Sequence, residues 1–139
     1  MTKSCIIIGL GQIGMEYDYD HKDKSVIYTH ANAIKEHREF ELIGAVDKSS
    51  NQRKRFEKRY DLPTFDEPEL AMQKLEPDLV VIATPTDLHS TILTKVINTK
   101  SPKLILCEKP LAYELKEAKN MIKISKEAGI DLFVNNIRR

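Results

Sequence analysis

The chain has 139 residues, 41% hydrophobic and 31% charged, with a net charge of +1. That length supports one domain with a proper core and is too short for two. The near-neutral charge excludes the strongly basic surface that nucleic acid requires. No apolar stretch approaches the roughly 20 residues that span a bilayer.

The N-terminal run MTKSCIII leads into a glycine-rich segment without a small-residue cleavage site, so it does not read as a signal peptide. Lys3 to Leu10 is a continuous isoleucine-rich run, the pattern of a strand buried on both faces. Thr29 to His37 predicts a short helix, Glu41 to Val46 a second strand, and Ser50 to Tyr60 a charged helix stopped before Pro63. Pro63 to Phe65 has room only for a very short strand, and Glu67 to Leu75 is helical up to the break at Pro77.

The strongest strand is Asp78 to Ala83, DLVVIA. A helix over Thr86 to Thr99 places Ile92, Leu93, Val96 and Ile97 on one face. Lys103 to Cys107 is the next strand. Leu115 to Ala128 is an amphipathic helix ended by Gly129 at a position suited to a left-handed cap, and Ile130 to Val134 is a last strand. Cys5 and Cys107 both fall inside apolar strands, which predicts buried, reduced thiols and a cytoplasmic setting.

Six strands alternating with helices make βαβ units, hence a doubly wound parallel sheet of the Rossmann type with helices on both faces. Ligands of such sheets sit beyond the carboxyl ends of the strands, where the strand order reverses. Those ends read GLGQIG, AVDKS, ATPTDLH, CEKP and NNIRR, and nearly all the unusual chemistry of the chain lies there.

Gly9, Gly11 and Gly14 follow the first strand directly. Their spacing suits a tight turn, a close approach to a pyrophosphate and close helix-to-strand packing, with the helix start facing the phosphates. Asp47 ends the second strand, where a carboxylate accepts hydrogen bonds from an adenosine ribose and repels a 2′-phosphate. The expected cofactor is therefore NAD. A solvated turn aspartate is the plainer alternative, and Lys48, Arg53, Lys54 and Arg55 lie close enough to offset that repulsion. Asp47 comes 33 residues after Gly14, against a usual separation of about 20. The excess lies in MEYDYDHKDKSVIYTH, an insertion. Its Asp18, Asp20, His21 and Asp23 lack the glycine and terminal glutamate of a calcium loop, so a polar surface loop is expected and no metal site.

Together GLGQIG, ATPTDLH and CEKPLA resemble the nucleotide-binding half of the glucose–fructose oxidoreductase, inositol dehydrogenase and MocA family, and the terminal VNNIRR is similar to that family's segment after the sixth strand. The resemblance runs from Ile6 to Arg139, and the Glu-Lys-Pro motif is its most specific part. It implies that Gly9, Gly11, Gln12, Ile13 and Gly14 hold the pyrophosphate and Asp47 the adenosine ribose. Thr84, Pro85 and His89 would lie against the middle and nicotinamide end of the cofactor. Glu108 and Lys109 would sit by the nicotinamide, with Lys109 as the catalytic residue that relays the substrate's hydroxyl proton. Asn135 and Arg138 would approach the nicotinamide or substrate, and the Lys109–Pro110 bond is a candidate for a cis peptide. His30 resembles a histidine that relatives carry near the start of their first helix, but the insertion separates it from the glycine loop and it is not among the expected site residues.

The resemblance also implies a second domain that carries the substrate pocket and mediates homo-oligomerisation, absent from residues 1–139. On this reading the chain is the NAD-binding domain of an oxidoreductase acting on a sugar-like or polyol substrate, inactive alone and inclined to self-associate through an apolar patch near the last strand. Two alternatives stand beside it: a non-catalytic module that senses the dinucleotide or binds protein, and a methyltransferase, whose fold also sets a glycine loop after strand one.

Overall fold

The computed structural model describes residues 2–136. The isoleucine-rich run forms β1 (Lys3–Ile8) and stops two residues sooner than predicted, because Gly9 turns the chain at φ +104°. After a single wide turn over Gln12–Glu16 and a long loop come α1 (His30–Glu36), β2 (Phe40–Val46), α2 (Ser50–Tyr60), β3 (Thr64–Phe65) and α3 (Pro68–Leu75). The second half holds β4 (Leu79–Ile82), α4 (His89–Thr99), β5 (Leu104–Glu108), α5 (Leu115–Glu127) and β6 (Asp131–Asn135). The predicted helix over 86–99 begins as a tight turn, Thr86–Leu88, before α4 proper.

Helix boundaries follow local chemistry. Thr29 and Ser49 cap α1 and α2 with side-chain oxygens that accept from Asn32 N and Gln52 N. α2 and α3 end on left-handed Asp61 and Glu76, each shortly before a proline that bars helical continuation. α5 runs out into Gly129 at φ +71°, the left-handed stop the sequence predicts.

The strands pair in the order β3-β2-β1-β4-β5-β6, every pair parallel. Period-two alternation sends Ile6, Ile8, Val80, Ile82, Ile105 and Cys107 toward Met72 of α3, Leu93 of α4 and Met121 of α5. Cys5, Ile7, Leu42 and Val81 point the other way, toward Ile34 of α1 and Phe56 of α2. Both faces are covered over the central strands, which is why those strands read as unbroken apolar runs. Each fully buried Ile, Leu or Phe contributes about 1.5–3 kcal/mol relative to exposure. On the α1 side, the edge strand β6 is less well covered, and Phe133 there is 55% exposed.

Because all strands are parallel, the carboxyl ends of β1, β2, β4, β5 and β6 share one edge. The order reverses between β1 and β4, and the glycine loop leaves β1 at that point.

Candidate functional site

Two of the three glycines are fixed by sterics within the chain. A Cβ on Gly9 would stand 2.7 Å from the carbonyl carbon and oxygen of Ala83, and one on Gly14 only 2.1 Å from Gly9 O. Gly11 differs: a Cβ there would meet nothing within 4 Å. Among the described residues nothing demands a glycine at that position, and its bare backbone faces open space. The turn that follows closes with Met15 N and Glu16 N donating to Gly11 O at 3.0 Å. Gln12 and Ile13 open this turn, where backbone N–H groups have no preceding carbonyl to bond. The helix start that the glycine spacing implies after the loop is here a single turn.

Asp47 leans over the same loop. Its Oδ2 accepts from Leu10 N and its Oδ1 from Ser49 N, both at 2.8 Å. Three of the basic residues around it are engaged, and one of them, Arg53, stays beside it on the Asp47 carbonyl. Arg53 donates to the carbonyls of Asp47 and Lys48, Arg55 to Glu16 and Gln52, and Lys48 pairs with Glu67. Gln52, which sequence reasoning passed over, braces the loop from α2 through Leu10 O and Glu16 Oε1.

A cavity of about 320 Å³ opens between these groups, lined by Gly9, Gly11, Val46, Asp47, Thr84 and Pro85 among others. The Thr84 hydroxyl oxygen is buried there without a hydrogen-bond partner among the described residues. A buried polar atom without a partner is costly and marks a place where a ligand group fits. An open glycine backbone, a carboxylate at the end of β2 and an unpartnered hydroxyl after β4 suit a dinucleotide laid across the switch point.

A second cavity, about 360 Å³, lies on the α1 side of the glycine loop, lined by Ile13, Ile27, Tyr28, Thr29, His30, Ala33 and Asn135. Beside it, at the carboxyl ends of β5 and β6, Glu108 Oε1 accepts from Asn135 Nδ2 at 2.6 Å and lies 2.6 Å from His30 Nε2. Lys109 is exposed, and its ammonium has no ion-pair or hydrogen-bond partner among the described residues. The Lys109–Pro110 peptide is cis. Arg138 lies outside the described residues.

His89 requires a correction. The family resemblance placed it against the cofactor, yet its ring is 1% exposed and wedged behind the site, with Nδ1 3.1 Å from Leu111 O and Nε2 2.9 Å from Thr84 O. As the first residue of α4 it turns inward and braces the segments bearing Thr84 and Leu111. Alternation in ATPTDLH gives no warning of this, because the short turn before α4 resets the helical phase.

Asp18 also departs from expectation. It is 2% exposed and accepts from Tyr28 N, Thr29 N and Thr29 Oγ1 at 2.7, 3.1 and 2.8 Å. Burial works against its ionisation, but hydrogen bonds from Tyr28, Thr29 and Asn32 outweigh that and hold the carboxyl below its ordinary range. Tyr19 extends the anchoring to α2, its hydroxyl donating to Arg55 O and its ring lying under the guanidinium of Arg55 at 4.5 Å. The insertion is thus tied down at its neck rather than being simply a wet loop. Among the described residues, no group of three His, Cys, Asp or Glu side chains could hold a metal ion.

A parallel sheet in this order, with a glycine loop on β1 and an acid closing β2, defines a doubly wound dinucleotide-binding protein. The chain belongs to the GFO_IDH_MocA oxidoreductase family, matching its NAD-binding Rossmann fold over residues 3–136. That membership sets the methyltransferase alternative aside. Myo-inositol 2-dehydrogenase of Thermotoga maritima is 29% identical over 135 residues, 96% of this chain and 36% of the relative. A 2,7-anhydro-N-acetylneuraminate hydratase of Escherichia coli is 37% identical over 60 residues, 43% of this chain and 16% of the relative. The chain therefore spans about a third or less of the length of these relatives. Among solved structures, the WlbA dehydrogenase of Bordetella pertussis, in complex with NADH and UDP-GlcNAcA, superimposes with a TM-score of 0.79 at 24% identity, covering 96% of this chain and 37% of that one. Biliverdin reductase of Synechocystis, in complex with biliverdin and NADP+, does so at 0.73 and 21%, covering 94% and 37%. At those identities the likeness is one of fold. Among the described residues no helix is long and apolar enough to cross a membrane.

Proposed function

We propose that residues 1–139 form the cofactor domain of an NAD-dependent oxidoreductase that moves hydride to or from a carbinol carbon of a sugar-like or polyol substrate. The observation that carries this reading is the open Gly11 backbone set between the Asp47 carboxylate and the unpartnered Thr84 hydroxyl.

In this reading Gly9, Gly11 and Gly14 shape the turn, and the N–H groups at Gln12 and Ile13 face the pyrophosphate. Asp47 accepts from the adenosine ribose and disfavours a 2′-phosphate. Thr84 and Pro85 line the path toward the nicotinamide, and Glu108 and Asn135 meet that end. NAD, when bound, supplies the site that accepts or donates the hydride. Lys109 handles the proton at the reacting oxygen: as the neutral amine it takes the hydroxyl proton when an alcohol is oxidised, and as the ammonium it returns a proton when a carbonyl is reduced. Its exposed side chain, with no acid paired to it among the described residues, favours this role over that of a salt-bridging surface lysine. The inositol dehydrogenase relative supports a polyol substrate.

The test is a titration followed by NADH fluorescence, with NADPH and an Asp47→Ala variant alongside; the chain has no tryptophan to interfere. Saturable NADH binding, weaker NADPH binding and a narrowed preference in the variant are expected. Absence of binding by either nucleotide would overturn the reading.

A further inference from the structure

The helix expected after a dinucleotide-binding glycine loop is interrupted here after one turn, and the chain returns only at Thr29 to start α1. Asp18 closes the neck of the detour with its three hydrogen bonds to Tyr28 and Thr29. Thr29 Oγ1 in turn accepts from Asn32 N at 3.3 Å and caps α1. The first residue of that helix is therefore held from both sides, and it is His30. Its Nε2 lies 2.6 Å from Glu108 Oε1, the same oxygen that accepts from Asn135. The side chains of His30 and Glu108 are 11% and 13% exposed, so water competes little for this contact. No bond to Glu108 Oε2 occurs among the described residues, and that oxygen is not among the buried unpartnered atoms. It is available to an N–H donor of the ligand, such as the carboxamide of a nicotinamide.

We propose that His30 is a positioning residue for the nicotinamide end of the site: clamped by the Asp18–Thr29 neck of the insertion, it fixes Glu108 so that the free carboxylate oxygen meets the ligand. This rests on the reading of the site as a dinucleotide site. It gives the insertion a purpose in that site, because the residues that interrupt the first helix also set the place of His30. Asn135, from the neighbouring strand, supplies the second restraint on the same oxygen. Two donors on one oxygen remove the rotational freedom of the carboxylate about its last bond.

ADP-ribose and NADH share everything up to the pyrophosphate-linked second ribose, and only NADH carries the nicotinamide. Both are titrated against the wild-type chain and the His30→Ala, His30→Gln and Asp18→Asn variants, with thermal denaturation of each protein. Loss of one charge-assisted hydrogen bond predicts about tenfold weaker NADH binding in His30→Ala, with ADP-ribose affinity changed less than about twofold. His30→Gln, which keeps a donor, recovers part of the loss, and Asp18→Asn weakens NADH in the same selective way. If His30→Ala fails to fold, His30→Gln and Asn135→Ala carry the same comparison. Equal losses for the two ligands, or no loss for either, would reduce His30 to a structural contact and overturn the proposal. Wild-type protein that binds ADP-ribose while NADH affinity ignores His30 sinks this inference alone. Wild-type protein that binds neither sinks the dinucleotide reading along with it.

Discussion

The carboxylate of Asp47 and the backbone N–H of Leu10 are joined by a 2.8 Å hydrogen bond that ties the end of β2 to the start of the glycine loop. One residue thus shapes the loop and presents charge to whatever lies on it. Asparagine keeps an acceptor for Leu10 N and removes the charge, whereas alanine removes both. Asp47→Asn should therefore narrow the preference for NADH over NADPH by about tenfold with little change in melting temperature. Asp47→Ala should narrow it similarly and also lose about 1 kcal/mol of stability. Fluorescence titration and thermal denaturation of the two variants separate the roles, and identical melting temperatures would show that the Leu10 bond contributes nothing to the fold.

Asp18 closes the insertion by accepting from Tyr28 N and from both donors of Thr29, which burial denies to water. Replacing it with alanine leaves the donors of Tyr28 and Thr29 unpaired, at a cost of about 1–3 kcal/mol. The pH dependence follows from its lowered titration point. A carboxyl depressed on folding adds stability that is fully present above its unfolded value, near 3.9, and is lost as pH falls through the folded value. Urea unfolding at pH 7 and across the acid range should show a shallower acid loss in Asp18→Asn than in wild type. Parallel curves would mean that Asp18 is not held ionised by its neighbours.

Cys5 and Cys107 are both fully buried and free. Burial, and secondarily the adjacent charge of Glu108, pushes the Cys107 thiol up to about 12, and burial raises Cys5 as well. Reaction with an aromatic disulfide reagent requires thiolate and access. Neither thiol should react at pH 8 in the native protein, and both should react in guanidinium. A fast native reaction at Cys107 would reveal that the end of β5, next to Glu108, opens readily.

Phe133 stands 55% exposed on β6, in register with Leu106 of β5, on a strand that among the described residues pairs on one side only. An apolar side chain on an open edge favours association between copies. Sedimentation velocity across a concentration series should show self-association that Phe133→Lys diminishes. A concentration-independent monomer would refute this.

The fold was legible because its signals are local and redundant. Unbroken apolar runs such as Ile6–Ile8 and Leu79–Ile82 require a strand covered on both faces, and the glycines, prolines and capping residues mark where each element stops. Gly9, Gly14 and Asp47 stand out as candidates because backbone sterics and charge favour particular residue types at fixed places, and Gly11 stands out by its spacing alone. What the chain could not disclose by itself depended on side-chain direction and on partners distant in sequence. His89 looks from sequence like an edge residue facing a ligand; a short turn rotates it inward between two carbonyls. Asp18 reads as one of several wet acids until the neck of the insertion closes around it. His30 and Glu108 are 78 residues apart, and only the parallel sheet, by setting the start of α1 beside the end of β5, makes them neighbours. Local sequence fixes backbone conformation through short-range sterics, while such meetings are decided by the packing of the whole sheet.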